Sequence, residues 1–258
     1  MCPTDGMTVP LLTVQNALGH VRDVESMVTA YLASDPYAVV EHHDVKPGWK
    51  LIGIKFQTDL PPEIYLRTAD AIGNLRDALD GMVCSLVRAQ NPTLSLGQVG
   101  FPFAGDKKKF NSERIQLKIR KIFPEARDAI NQLKPYGGGN DALYAINELA
   151  NLKKHRGVFI PMMMGEGIAA FPRDKSLKIG DTDGFPLGAE YLSETDSVVI
   201  WAAPITSKVN FEGHISATIA FGQPEVLKMR ALVPTLYELC NLVHQIIVAF
   251  KSRFIDEG

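Results

Sequence analysis

Two stretches of this sequence place polar residues at helical spacing beside apolar stripes, where they could do chemistry. The first, GNLRDALDGM from Gly73 to Met82, sets Arg76 and Asp80 four residues apart. Residues at that spacing share one face of a helix. Arg76 and Asp80 therefore lie together at the edge of the apolar stripe, either as a half-buried ion pair that also hydrogen-bonds a neighbouring helix or as catalytic residues.

The second stretch lies after the glycines of PYGGGN and carries a polar seam. Asn147, Asn151 and His155 follow one another at steps of four along the border of an apolar face. The basic residues Lys153, Lys154 and Arg156 surround this histidine and suit the C-terminal end of a helix. A polar seam in a helix bundle is the structural interpretation. The alternative is that this seam meets Arg76 and Asp80 in one buried polar network, with both Arg76 and Asp80 contacting the second helix.

The elements that must position these residues are predicted from hydrophobic periodicity. Helices are expected at about 12–32, 60–88, 111–133 with a break near Pro124, 140–156 and 224–254 with a kink at Pro234. Strands are expected in YAVVEHHDV, WKLIGIKFQ, GVFIPMMMGEGIAAF, DSVVIWAAP and VNFEGHISATIAF. The last of these alternates apolar and polar residues, which is typical of an antiparallel sheet with one wet face.

Strands near both ends with helices between them predict one α+β domain over residues 1–258. Its helical half would span about 60–156, and the sheet with the C-terminal helix about 157–258. A helical bundle would then pack on an antiparallel sheet. The long C-terminal helix would form a packing seam on that sheet or, at its far end, a homodimer contact.

Composition narrows the class of protein. Net charge is −2, so no overall basic excess favours nucleic acid, although a local patch is compatible with it. Three separated cysteines without a CxxC pair fit a reducing cytosol. The N-terminus lacks a signal-peptide pattern, and the unbroken apolar runs are too short to span a bilayer. We therefore expect a cytoplasmic, soluble protein with no membrane partner.

The middle of the chain resembles a family of bacterial proteins of uncharacterised function. Those proteins carry a helix like HNLRSALDH, a short FP segment, a loop like LQPY and a helix ending NxDKHR. This chain has GNLRDALDG, FPFAG, QLKPYGGGN and NLKKHR in the same order between about Thr68 and Arg156. The residues of this chain that match the motifs of those proteins are Asn74, Arg76, Asp80, Pro135, Tyr136, Asn151, Lys154, His155 and Arg156. Gly73 and Gly81 stand where the family has histidine, and Lys153 replaces an acid.

Arginine followed five positions later by histidine is similar to the signature of HEPN ribonucleases. That resemblance implies metal-independent attack on RNA, in which the arginine holds phosphate and the histidine moves the proton. Here the fifth position after Arg76 is Gly81, which cannot move a proton. His155 is the residue that could replace it.

Other polar motifs have structural interpretations. In EHHD, Glu41 to Asp44, adjacent strand residues point to opposite faces, so a shared metal ion is disfavoured. GGGN could cradle an anion on backbone N–H groups but lacks the P-loop lysine, so an ordinary loop and helix cap is favoured. Glu212, His214 and Ser216 share a strand face that is expected to be solvated. No metal or cofactor is expected.

Three hypotheses follow. The favoured one is a non-catalytic binding or assembly protein with a structural network of Arg76, Asp80 and His155. In it, the candidate binding residues are Asn74, Asn147, Asn151, Lys154 and Arg156. The others are a HEPN-like ribonuclease or its decayed relative, with RNA as a less favoured partner, and a small-ligand binding domain. If Arg76 is buried, Arg76→Ala is expected to destabilise by about 3–5 kcal/mol.

Overall fold

A computed structural model describes residues 6–46, 48–155, 161–165, 185–192, 197–206, 217–222, 224–228 and 230–256. The helices are α1 Thr8–Ala33, α2 Pro62–Gln90, α3 Lys107–Phe110, α4 Glu113–Gln116, α5 Pro124–Gln132, α6 Asp141–His155 and α7 Leu232–Lys251. The strands are β1 Tyr37–Lys46, β2 Trp49–Phe56, β3 Pro161–Gly165, β4 Phe185–Leu192, β5 Ser197–Pro204 and β6 Ala217–Phe221. The predicted α+β class is confirmed.

Contacts divide the chain into two compact units. Unit 1 comprises Met1–Ser26, Pro62–Pro161 and Phe221–Gly258, and unit 2 comprises Met27–Pro61 and Met162–Ala220. Unit 1 is the helical bundle, and unit 2 holds most of the strands. The expected halves grouped α7 with the sheet, whereas the contacts place α7 in unit 1. The sequence pattern missed this because it shows which face of a helix is apolar but not what covers it.

The core of unit 1 follows the predicted stripe of α2. Ile72, Leu75 and Leu79 are fully buried, and the stripe continues through Met82, Val83 and Leu86. The helix begins at Pro62, where the missing N–H of proline leaves no helical hydrogen bond unmade. The region 111–133 breaks up as expected near Pro124. Phe123 is the N-cap of α5 and Pro124 its first residue, preceded by α4 and a 3₁₀ turn, Leu117–Ile119.

Helix α7 differs from the prediction at its start. It begins at Leu232 rather than near Pro224, because residues 225–227 form a separate 3₁₀ turn. Pro234 therefore falls in the first turn, where no helical N–H is lost, and the expected kink has no cause. The buried stripe is Leu232, Leu236, Leu239, Val243, Ile246 and Phe250, as predicted.

The buried stripe of α7 packs within unit 1, against α2 and α6. The expected packing of this helix on the sheet stays a prediction. The end of α7 is extended by a π-helical turn in which Phe254 contacts Phe123 and Phe250, with ring centroids 5.3 Å apart in each pair. Phe254 lies at the far end of the C-terminal helix, where the homodimer contact is expected, and already packs on residues of unit 1. The homodimer stays a prediction, to be tested by light scattering of the wild-type protein.

By length and composition, α7 with its π-helical extension is also the one helix of the described chain that could cross a membrane. The expectation that no segment is long enough considered only unbroken apolar runs. The core helix of a soluble protein meets the same criteria, and the stripe of α7 is buried. This feature is therefore weak evidence for a membrane.

Unit 2 contains an antiparallel sheet in the order β1-β2-β5-β4 and a two-stranded sheet of β3 and β6. The strands predicted in YAVVEHHDV and WKLIGIKFQ are confirmed as β1 and β2, which pair in antiparallel orientation with Val40 opposite Gly53 and Gly48 in the turn at φ +83°. The alternating segment 209–221 is described only over β6, and its polar residues Glu212, His214 and Ser216 lie outside the described residues.

Candidate functional site

Arg76 joins the two helices that carry the polar motifs. Its guanidinium Nη1 donates a hydrogen bond to Oδ1 of Asn151, 3.1 Å away, and α2 packs against α6 in unit 1. The prediction that Arg76 contacts the helix bearing Asn147, Asn151 and His155 is therefore confirmed at Asn151. Arg76 is half-buried, so its charge keeps some contact with water.

The same guanidinium lies over an aromatic ring. The central carbon of Arg76 is 5.6 Å from the centroid of Phe103, within the range of a cation–π interaction. Phe103 belongs to the buried FPF segment, Phe101 to Phe103, that follows the loop after α2. Arg76 thus contacts both α6 and the FPF segment, which fixes its position from two sides.

Asp80 has a different partner from the one expected. Its Oδ1 accepts a hydrogen bond from the backbone N–H of Phe101 at 2.6 Å, in place of the predicted contact with α6. The expected ion pair of Arg76 and Asp80 is replaced by a longer-range attraction, since the hydrogen bond of Arg76 goes to Asn151. The position of Asp80 on α2 was predicted correctly. Its partner, Phe101, lies in an irregular segment, and hydrophobic periodicity does not predict the course of such a segment.

Gly100 allows this approach. A Cβ atom on Gly100 would lie 2.9 Å from Oδ1 of Asp80, closer than side chains pack. The carbonyl oxygen of Phe101 accepts a long hydrogen bond of 3.5 Å from Nζ of Lys118. Side chains therefore bind both backbone polar groups of Phe101, and sequence reasoning missed Lys118 because it lies in the short 3₁₀ turn.

Burial dominates the electrostatics of this cluster. It raises the pKa of Asp80, although the Phe101 N–H and the charges of Arg76 and Lys118 oppose the rise. Burial also lowers the pKa of Lys118, and the neighbouring Arg76 and Arg114 lower it further against the attraction of Asp80. Both shifts favour the neutral forms, as expected where loss of water outweighs pairing.

The raised pKa of Asp80 predicts a pH-dependent difference between wild type and Asp80→Asn. The folded state binds the proton more tightly than the unfolded state, so the stability from this group is complete below the unfolded pKa and is lost as pH rises through the folded pKa. Asparagine keeps the acceptor oxygen and cannot ionise. Relative to wild type, Asp80→Asn should therefore gain stability as pH rises from about 4 towards neutrality.

Urea unfolding of both proteins at several pH values measures this difference. Asp77→Asn, on the exposed side of α2, is the matched control. It removes only a minor cause of the raised pKa of Asp80, so its stability relative to wild type should change less with pH than that of Asp80→Asn. A difference between Asp80→Asn and wild type that stays flat or shrinks with rising pH would contradict the role of burial.

The other predicted site residues differ in burial, and the structure describes the side chains of only some of them. Asn147 is buried, and its Nδ2 donates a 3.3 Å hydrogen bond to Oε1 of Glu148. Asn74 is half-buried on α2. Helix α6 ends at His155, but the side chains of Lys154 and His155, and all of Arg156, lie outside the described residues. The participation of His155 in the network therefore stays a prediction.

Gly81, where the resembling family has histidine, faces α1. A Cβ atom there would lie 3.4 Å from Cγ of Pro10, which is ordinary contact. A side chain as large as histidine would have to displace Pro10 or turn away from it, so this face of α2 is used for packing.

The other residues of the resemblance hold the FPF segment in place. Ala104 pairs with Tyr136 in an isolated parallel bridge, and its N–H donates to the carbonyl oxygen of Pro135 at 3.2 Å. Tyr136 is buried against Phe110, with ring centroids 5.0 Å apart. Pro135 and Tyr136 therefore act on the same segment as Asp80.

The glycine loop before α6 offers few groups to an anion. The N–H groups of Gly138, Gly139 and Asn140 donate to Oδ1 of Asp141 and to the carbonyl oxygens of Tyr136 and Lys134. Asn140 caps α6, as predicted, by accepting from the N–H of Leu143 at 3.1 Å. The alternative of an anion cradle is not supported, because these three donors are used within the loop.

The EHHD stretch of unit 2 divides between two faces, as predicted. Glu41 binds the buried Lys50 at 2.9 Å and lies 3.6 Å from His43, whereas His42 hydrogen-bonds Ser197 at 2.9 Å. Among the residues that the structure describes, no three His, Cys, Asp or Glu side chains cluster closely enough to hold a metal ion.

Comparison of the chain with protein-family models, curated proteins and solved structures gave no match.

Proposed function

We propose that this protein acts by binding or assembly without catalysis, and that Arg76 and Asp80 form a structural network with Asn151. The observation that carries the proposal is the hydrogen bond from the Phe101 N–H to Asp80. A polar group that holds a buried backbone donor stabilises the fold, since an unsatisfied buried N–H costs about 1–3 kcal/mol.

The partners of Arg76 support the same role. The guanidinium of Arg76 donates one hydrogen bond to Asn151 and lies over the ring of Phe103. A phosphate or carboxylate that formed bidentate hydrogen bonds with Arg76 would compete with both Asn151 and Phe103. The network therefore serves best as a clamp that joins α2 and α6 to the FPF segment.

The HEPN-like ribonuclease is the alternative, and one observation favours it. Asn151, the partner of Arg76, lies one helical turn before His155, so α6 brings the position of a histidine near Arg76. In this alternative Arg76 would hold the scissile phosphate and His155 would move the proton. Gly81 itself offers no proton carrier.

One experiment with two readouts separates these functions. Arg76→Ala should lower the free energy of unfolding by about 1–3 kcal/mol, because it removes a charged hydrogen bond and the ring contact. This is less than the 3–5 kcal/mol expected for a fully buried charge, since Arg76 is only half-buried. The wild-type protein should not cleave RNA in the presence of a chelator.

The matched variants are Arg76→Lys, which keeps the charge but loses the planar fork, and His155→Ala. Arg76→Lys should recover part of the stability. RNA cleavage by the wild type that disappears in both Arg76→Ala and His155→Ala would overturn the proposal in favour of the ribonuclease. Unchanged stability of Arg76→Ala would contradict the clamp.

A further inference from the structure

We infer that a groove between α4 and α5 in unit 1 binds a phosphate-bearing ligand. The groove has a volume of about 280 Å³ and is lined by Glu113, Gln116, Leu117, Arg120, Arg127 and Asn131. The inference names a ligand class for the binding role proposed above and rests on that role. The groove shares no residue with Arg76, Asp80 and Asn151, so the two can be tested separately.

Helices α4 and α5 and two hydrogen bonds position the polar side chains of the groove. Arg127 and Asn131 lie four residues apart on α5, on one face of the helix. Gln116 ends α4, and its Nε2 contacts the carbonyl oxygen of Phe110 at 3.0 Å and Oδ1 of Asn131 at 3.4 Å. These hydrogen bonds hold the two amide side chains in place beside the arginines.

The arginines have no counter-charge in direct contact. Within the described part of the chain, neither Arg120 nor Arg127 forms an ion pair. Glu113 is the one acid among the lining residues, so two guanidinium groups face one carboxylate. An anion placed between Arg120 and Arg127 would supply the missing negative charge, and arginine offers paired donors that match phosphate oxygens.

The surrounding segment is basic in a chain that is slightly acidic overall. Residues 106–128 contain eight Lys and Arg and four Asp and Glu, whereas the whole chain has a net charge of −2. Burial is the main cause of the lowered pKa of Lys118, and the charges of Arg76 and Arg114 also lower it, against the attraction of Asp80. A local excess of positive charge attracts anions from a distance.

The size of the groove limits the ligand. Its volume lies just under the roughly 300–1,000 Å³ typical of small-molecule sites, and Leu117 is its one apolar lining residue. A phosphate group with a small organic part fits this size and polarity. The same chemistry is present in a free phosphorylated metabolite and in one phosphodiester of a single-stranded nucleic acid, and the probes below separate these sources.

Titration of the full chain tests the inference with four probes: inorganic phosphate, pyrophosphate, AMP and a fluorescent single-stranded oligonucleotide. At low salt, the wild type should bind at least one of them, and the double variant Arg120→Gln/Arg127→Gln should bind that probe at least about ten-fold more weakly. Arg22→Gln, which removes an exposed arginine of α1 outside the groove, is the control and should bind like wild type.

The pattern of binding identifies the source. Tighter binding of the oligonucleotide than of AMP, with a steep loss at higher salt, assigns a phosphodiester chain. Binding of AMP or pyrophosphate without the oligonucleotide assigns a free phosphorylated compound. Wild-type protein that binds none of the probes, or a folded double variant that binds as well as wild type, overturns the inference.

If the double variant does not fold by circular dichroism, Arg127→Lys replaces it. Lysine keeps the charge and loses the fork, so binding should weaken, and unchanged binding would overturn the inference. These outcomes do not depend on the stability of Arg76→Ala, so failure of the groove and failure of the proposed function can be distinguished.

Discussion

Leu239→Asp should prevent the protein from folding. Leu239 is 2% exposed in the buried stripe of α7, which packs against α2 and α6. The substitution removes a side chain whose burial contributes roughly 1.5–3 kcal/mol and places a carboxylate in an apolar core. The combined loss is a large fraction of the total stability of about 5–15 kcal/mol that native proteins have.

Circular dichroism and size-exclusion chromatography of the purified variant measure this effect. Asn241→Asp introduces the same charge on the exposed face of α7 and should fold like wild type. A Leu239→Asp protein with a cooperative thermal transition near that of wild type would show that α7 is not part of the core.

Phe101→Ala should lower the free energy of unfolding by about 3–5 kcal/mol. Phe101 is fully buried, and its ring lies 4.8 Å from that of Phe103, measured between centroids. The substitution leaves the backbone N–H free to donate to Asp80, so the expected loss reports packing and cavity formation rather than the hydrogen bond.

Urea unfolding quantifies the change, and Phe101→Leu is the matched control because leucine keeps much of the apolar volume. Its loss should be well under that of alanine. Equal losses for the two variants would show that ring shape, and not volume, holds the segment. A loss below about 1 kcal/mol for Phe101→Ala would contradict its place in the core.

The regular parts of the candidate site could be predicted from sequence. The apolar stripe of α2 and the seam of α6 both follow helical periodicity, and two helices with apolar faces must bury them. That reasoning correctly brought Arg76 to Asn151. It needed no knowledge of loops, because each residue is placed by its own helix.

The irregular parts could not be predicted. Asp80 binds a backbone N–H in the FPF segment, and Lys118 reaches the same residue from a 3₁₀ turn. A backbone N–H is present at almost every residue, so the sequence does not show which one a side chain will bind. A 3₁₀ turn is too short to produce a recognisable hydrophobic periodicity. The groove between α4 and α5 was missed for the same reason, since Arg120 and Arg127 come from different elements.

The division of the chain into two units could not be predicted from the sequence either. The start of α7 was placed too early because nothing in the sequence separates the 3₁₀ turn Glu225–Leu227 from the helix that begins at Leu232. The sequence did not point to α2 and α6 as the partners of α7, because an apolar stripe fits any apolar surface. Contacts between distant segments decide such questions, and neither composition nor spacing records them.

The interleaving of the two units has a consequence for synthesis on the ribosome. Unit 1 is built from Met1–Ser26, Pro62–Pro161 and Phe221–Gly258, so its core cannot close before α7 has left the exit tunnel. Until then, the surfaces of α2 and α6 that α7 covers are exposed on the nascent chain. Folding dominated by such distant contacts is slow and favours aggregation of incomplete chains, so this protein should depend on chaperones during translation more than a protein whose helices pack in chain order.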